Sequence, residues 1–157
     1  MRVILDTSVL AKALLLPRKG LPEDIYQREL ETHRKARLVV KLCDNHEVSL
    51  PRAGLVEIAR VLRRNGHRDV IPQVVESLSI SYSIIGEDEI FEEALDVASL
   101  TGASGFDTYF IALAKLMGGL LITDDVKMAR HAESVGVTPL LLRETTEEHL
   151  RDVLSPP

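Results

Sequence analysis

Four short β-branched or leucine-rich runs punctuate the chain at residues 3–5, 81–85, 120–123 and 138–142, and a weaker fifth at 47–50 stops at Pro51. Between them apolar residues recur at helical spacing, as in Leu55, Ile58, Ala59 and Leu62, or Ile90, Ala94, Leu95, Val97 and Ala98. The pattern predicts helices over about 8–15, 23–43, 52–65, 69–78, 88–101, 106–117, 125–135 and 145–154, with ends good to about two to four residues. Pro22, Glu23 and Asp24 suit a first helical turn, and Asp107 and Asp125 each fall where a helix would begin. Strands alternating with helices imply βαβ units, a mainly parallel sheet and right-handed crossovers that cover both faces. The expected class is therefore α/β, a three-layer α/β/α arrangement. No linker, repeat or low-complexity tract divides the sequence, so residues 1–157 read as one domain with a frayed tail at 155–157.

Composition narrows the picture. A chain of 157 residues with 45% hydrophobic and 27% charged residues can bury a core without a disulfide or a structural metal. Its one cysteine, Cys43, sits in the apolar run 38–43 and reads as a small buried residue in a reducing compartment. Only a three-residue apolar run precedes Asp6, too short for a signal-peptide core, and no stretch approaches the ~18 apolar residues of a membrane helix. A cytoplasmic protein with no membrane partner is expected. The formal charge of −5 argues against a generally basic nucleic-acid surface. Acids gathered around bound cations, however, attract phosphate instead of repelling it.

Chemistry concentrates at strand ends. Val3-Ile4-Leu5-Asp6-Thr7-Ser8 is an apolar strand that stops at a carboxylate followed by two hydroxyl residues, and Leu120-Leu121-Ile122-Thr123-Asp124-Asp125 repeats the design. In a parallel sheet both ends lie at the carboxyl edge, where open α/β sheets bind ligands. Asp107 starts the helix that feeds the 120–123 strand, so it lies near the same edge. Each of these acids also has a plainer reading as a helix cap or first-turn charge. Glu57 lies opposite Leu55, Ile58, Ala59 and Leu62 on its helix, so periodicity alone puts it in solvent, paired with Arg60. Its position two turns after the 47–50 strand end is what raises it.

Two carboxylates ~5 Å apart repel by roughly 3 kcal/mol at an effective dielectric near 20, so a cluster of them calls for a proton or a metal. No adjacent cysteine and histidine ligands are available for zinc, whereas hard oxygen donors suit Mg²⁺ or Mn²⁺.

Taken in order, "VILDTSVL", an acid in the helix after the second strand, "GFDTYFIALAK" and "LLITDD" resemble the PIN-domain nucleases over essentially the whole chain. The resemblance implies a parallel sheet of order 3-2-1-4-5, RNA phosphodiester hydrolysis with Mg²⁺ or Mn²⁺, and the four acids Asp6, Glu57, Asp107 and Asp125. Asp125 matches the family's threonine, any residue, aspartate pattern, with Asp124 as its rival. Ser8 and Thr123 match hydroxyl positions that support the acids. Many small members are toxins of toxin–antitoxin pairs and dimerise, which makes an antitoxin and a second copy candidate partners. Two departures stand out: Asp6 and Glu57 are widely separated, and the charged helix 23–43 is long and reads as a solvated arm or a clip.

Arg60, Arg63 and Arg64 share one broad helix face and form a candidate RNA track, with a solvated face as the plainer account. Three Phe, three Tyr and no Trp supply no extended base-stacking platform. His33, His46, His131 and His149 lack ligand spacing and read as surface residues. Competing readings are a PIN-like binding module without catalysis, and a haloacid-dehalogenase-like phosphatase, which would want a second aspartate where Ser8 stands. A response-regulator receiver would need an aspartate at the end of the 81–85 strand, and none is present.

Overall fold

The computed structural model describes residues 1–156; Pro157, the end of the expected tail, lies outside them. Among the described residues five strands, β1 (Arg2–Leu5), β2 (Glu47–Pro51), β3 (Ser83–Ile85), β4 (Leu120–Thr123) and β5 (Pro139–Leu141), pair in the order β3-β2-β1-β4-β5. Every pairing is parallel. The order reverses between β1 and β4, and this is the crevice where the strand ends of Asp6 and Asp125 meet. Central strands of a parallel sheet are covered on both faces and read as continuous apolar runs. Val3, Ile4, Leu5, Leu121 and Ile122 are accordingly all fully buried. The edge strand β5 opens with Pro139, which has no amide hydrogen to give a ladder.

Among the described residues eight α-helices cover the sheet: α1 (Thr7–Leu14), α2 (Glu23–Cys43), α3 (Arg52–Arg64), α4 (Ile71–Ser81), α5 (Glu87–Thr101), α6 (Gly105–Met117), α7 (Val126–Ser134) and α8 (Glu147–Val153). On one side α1 packs on α2 and α3, α3 on α4, and α8 on α2; on the other, α5 packs on α6 and α6 on α7. Small shifts separate these bounds from the expected ones. The helix expected over 69–78 starts with a 3₁₀ turn at Arg68–Val70 and runs on to Ser81, which shortens the third strand. A second 3₁₀ turn, Leu142–Glu144, ends the last strand early and delays α8.

Two glycine positions bring the site's elements together. Gly118 closes α6 in the left-handed conformation at φ 58°, which favours glycine. Gly119 follows, where a Cβ would stand 2.6 Å from Ile4 Cδ1 and 3.2 Å from the Arg2 carbonyl oxygen, so β4 begins pressed against β1. Gly54 does the same for helices: a Cβ there would lie 3.0 Å from Phe110 Cζ. That close crossing of α3 over α6 carries Glu57, one turn on, toward Asp107.

The long helix α2 is not a free arm. Thr32, His33, Lys35, Ala36, Val39 and Cys43 are buried along one face against its neighbours, which corrects the solvated-arm reading beyond its first turns. His33 is likewise not on the surface. It is 7% exposed, and its Nδ1 donates to the Lys12 carbonyl oxygen at 2.6 Å. His46 is half-buried, with Nε2 donating to the Leu154 carbonyl oxygen at 3.0 Å. No helix among the described residues is long and apolar enough to cross a membrane.

Candidate metal centre

Asp6 ends β1 and stands at the N-cap position of α1, yet its side chain makes no capping bond to the helix. Its amide extends the ladder by donating to the Ile122 carbonyl oxygen at 2.9 Å. The carboxylate is fixed instead by two hydroxyls, Ser8 Oγ at 2.5 Å and Thr123 Oγ1 at 2.8 Å, both donating to Oδ2. Each hydroxyl is itself held by a backbone amide from the turn after β4: Asp124 N donates to Ser8 Oγ and Asp125 N to Thr123 Oγ1, both at 3.0 Å. A hydroxyl has one proton, and with an amide on its oxygen that proton is aimed at the acid. Among the described residues no side-chain donor reaches the other Asp6 oxygen, Oδ1.

The remaining acids approach from three elements. Asp107 lies in the first turn of α6, where Ser104 is the cap and accepts from the Asp107 amide at 3.4 Å. The capping role expected for Asp107 therefore falls to Ser104. Asp125 does cap its helix, with Oδ1 accepting from Lys127 N at 2.7 Å and Met128 N at 3.1 Å. Glu57 is not in open solvent as its periodicity suggests. Its side chain is 20% exposed, and Arg60 grips it with Nη2 at 2.8 Å and Nε at 3.1 Å. All four line one cleft of about 250 Å³, together with Ser8, Phe106 and Phe110. A larger groove of about 650 Å³, bounded by Val40, Leu78 and Tyr82, has no such convergence of acids.

Asp124, the rival for the fourth place, is taken up elsewhere. It is 2% exposed, with Lys12 Nζ at 2.8 Å from Oδ2 and Arg143 bound to both oxygens at 3.0 and 3.2 Å. Lys12 continues to Glu29 at 2.9 Å. Sequence reasoning had no signal for this network, because Lys12 and Arg143 are ordinary polar positions on separate elements.

Two adjacent buried aspartates thus differ completely: Asp124 has two cationic partners and Asp6 has none among the described residues. Burial pushes the Asp6 carboxyl up to about 6; the two hydroxyls oppose that and the charge of Asp107 adds to it. Asp107 is raised as well, first by burial and then by Asp125, with Ser104 and His131 pulling the other way. Among the described residues no three acid, histidine or cysteine side chains stand at the spacing of a preformed metal site. Uncompensated carboxylates repel one another, and Glu57 is turned onto Arg60. The donor set nonetheless fits a hard cation. Its ligands are oxygens, its innermost acid lacks a counter-charge, and the Thr7 hydroxyl in the cleft wall is buried without a partner.

Two expected results follow from this geometry. Asp125→Ala removes a cap and lowers stability by about 1 kcal/mol in EDTA, whereas Asp125→Asn, an equally good cap, stays within about 0.5 kcal/mol; denaturant titration separates them. Asp6 binds its proton more tightly folded than unfolded, so its contribution is most favourable below about pH 4 and is lost as pH rises to about 6. That loss amounts to about 3 kcal/mol in metal-free protein. It is read as the difference in unfolding free energy between wild type and Asp6→Asn across that range. A flat difference would refute the assignment.

The PIN domain family model matches residues 3–134. Among solved structures, FitAB bound to an IR36 DNA fragment is 17% identical, with 94% of this chain and 99% of that chain covered and a TM-score of 0.63. FitAcB from Neisseria gonorrhoeae is 16% identical over 91% of this chain and 99% of that chain, with a TM-score of 0.58. At such identities the likeness is one of fold. No curated protein matches the sequence significantly. With most of its length under that family model and its strands in the 3-2-1-4-5 order, the chain belongs to the PIN domain family.

Proposed function

We propose that the chain is an Mg²⁺- or Mn²⁺-dependent endoribonuclease. The observation that carries this reading is Asp6: a buried carboxylate with one oxygen fixed by two hydroxyls and, among the described residues, no cationic partner. Charges are buried where something compensates them, and here three further acids line the same cleft. Asp6, Asp107 and Asp125 would hold the ion, with Glu57 holding a second ion or orienting water. When bound, such a cation supplies Lewis-acid chemistry for in-line displacement at phosphorus.

The chain's own residues do the positioning. Ser8 and Thr123 hold the plane of the Asp6 carboxylate, and their protons occupy Oδ2, so its other oxygen is the one left for a ligand. Arg60 neutralises Glu57 in the absence of substrate. Arg63 and Arg64, exposed on the same helix, offer bidentate donors to a phosphate backbone. Family resemblance adds a toxin role, an antitoxin partner and a homodimer to the proposal.

The test is a panel of structured and single-stranded RNAs incubated with Mn²⁺, Mg²⁺ or EDTA, with Asp6→Asn alongside. Cleavage that needs the metal and vanishes in the variant supports the reading. Tight binding of Mn²⁺ or of RNA with no cleavage under any condition would favour a binding module instead.

A further inference from the structure

We propose that Phe106 is a stacking platform for one unpaired nucleobase beside the scissile phosphate, so that the substrate enters as a single strand; the proposal rests on the nuclease reading. Phe106 lines the acid cleft and is 44% exposed. It stands in the first turn of α6, one residue before Asp107. The other ring of that helix at the cleft, Phe110, is 2% exposed and packs against Gly54, so it forms part of the core. Phe106 is the ring left at the opening.

The size and polarity of the cleft say which part of a nucleic acid goes where. At about 250 Å³ it is smaller than pockets that enclose a whole drug-sized ligand. It suits a phosphate and its cations and leaves the bases at the rim. A base is the flat apolar portion of a nucleotide, and an exposed aromatic ring next to a phosphate site is the surface it stacks on. Bases inside a duplex are already stacked on both faces and turned inward, whereas those of a single strand can be splayed outward onto aromatic side chains. With no second exposed aromatic in the cleft wall, the platform takes one base. Arg63, Arg64 and Lys127, all exposed on the flanking helices, supply charge to the backbone on either side.

The chain has no tryptophan, so Phe106→Trp introduces a lone fluorophore. In the Asp6→Asn background, single-stranded RNA should quench it, and the same strand annealed to its complement should not. In otherwise native protein, Phe106→Leu should raise KM for single-stranded RNA roughly tenfold with kcat within about twofold, a loss within the range of one base–aromatic stack. Equal quenching by duplex and single strand, or an unchanged KM, overturns the proposal. So does a Phe106→Leu variant altered only in its sedimentation, which would place the ring in a protein contact. Wild-type protein that cuts duplex as fast as single strands removes the stacking proposal and leaves the nuclease reading; no cleavage of any RNA with Mn²⁺ removes both.

Discussion

Asp6→Asn is expected to melt higher than wild type in EDTA near neutral pH and yet to cut RNA roughly 10²–10³-fold more slowly with Mn²⁺, the loss typical of removing one preorganised charge-stabilising group. The two effects have one cause. Above about pH 6 the wild-type carboxylate is ionised in a site that is 5% exposed and holds no basic partner. An amide of the same shape accepts from Ser8 and Thr123 but carries no charge to desolvate. Relief of that cost, about 3 kcal/mol, corresponds to a rise of roughly 6–12 °C for a chain of this size. Added Mn²⁺ should raise the wild-type melting temperature and leave that of the variant unchanged. Scanning calorimetry with and without metal reads both. A variant that melts lower in EDTA, or that keeps the metal-induced rise, would remove Asp6 from the centre of the site.

The neighbouring carboxylate carries the opposite sign. Asp124→Asn should destabilise the protein by about 2–3 kcal/mol, roughly 4–12 °C, in EDTA and in Mn²⁺ alike. Breaking a buried pair typically costs about 3–5 kcal/mol; the figure is discounted here because the abandoned cations can rehydrate. The Lys12 side chain is 26% exposed and keeps Glu29, and that of Arg143 is 49% exposed. The Asp124 backbone amide still reaches Ser8, so the metal-induced rise in melting temperature should persist. If Asp124→Asn abolished that rise while Asp125→Asn kept it, the ligand assignment within the "TDD" stretch would be reversed.

Much of this was written in local pattern. Both buried strand runs that stop at an acid beside a hydroxyl residue, 3–8 and 120–125, were legible because a central parallel strand shows as unbroken apolar sequence. Asp125 is a cap, a short-range property, whereas the cap expected at Asp107 falls three residues earlier at Ser104 because the helix begins at Gly105. Features that escaped depend on residues far apart in the chain. The Asp124 clamp joins α1 to the turn after β5. The burial of His33 comes from α1 lying along α2. Periodicity alone puts Glu57 in solvent for the same reason: a helical wheel has one apolar face, whereas α3 meets the core on one side and α6, through Gly54, on another.

The hydroxyl relay on Asp6 also has a temporal consequence. Its bonds join residues 116 and 117 positions apart, Ser8 to the Asp124 amide and Asp6 to Thr123. A growing polypeptide therefore carries Asp6 and Glu57 through most of its synthesis with only the local Ser8 hydroxyl on the first of them, itself not yet held by the Asp124 amide. The site closes only when β4 has emerged and paired with β1. Whatever the cleft binds, it is assembled late, because residues 123–125 must be in place before the Asp6 carboxylate is fully fixed.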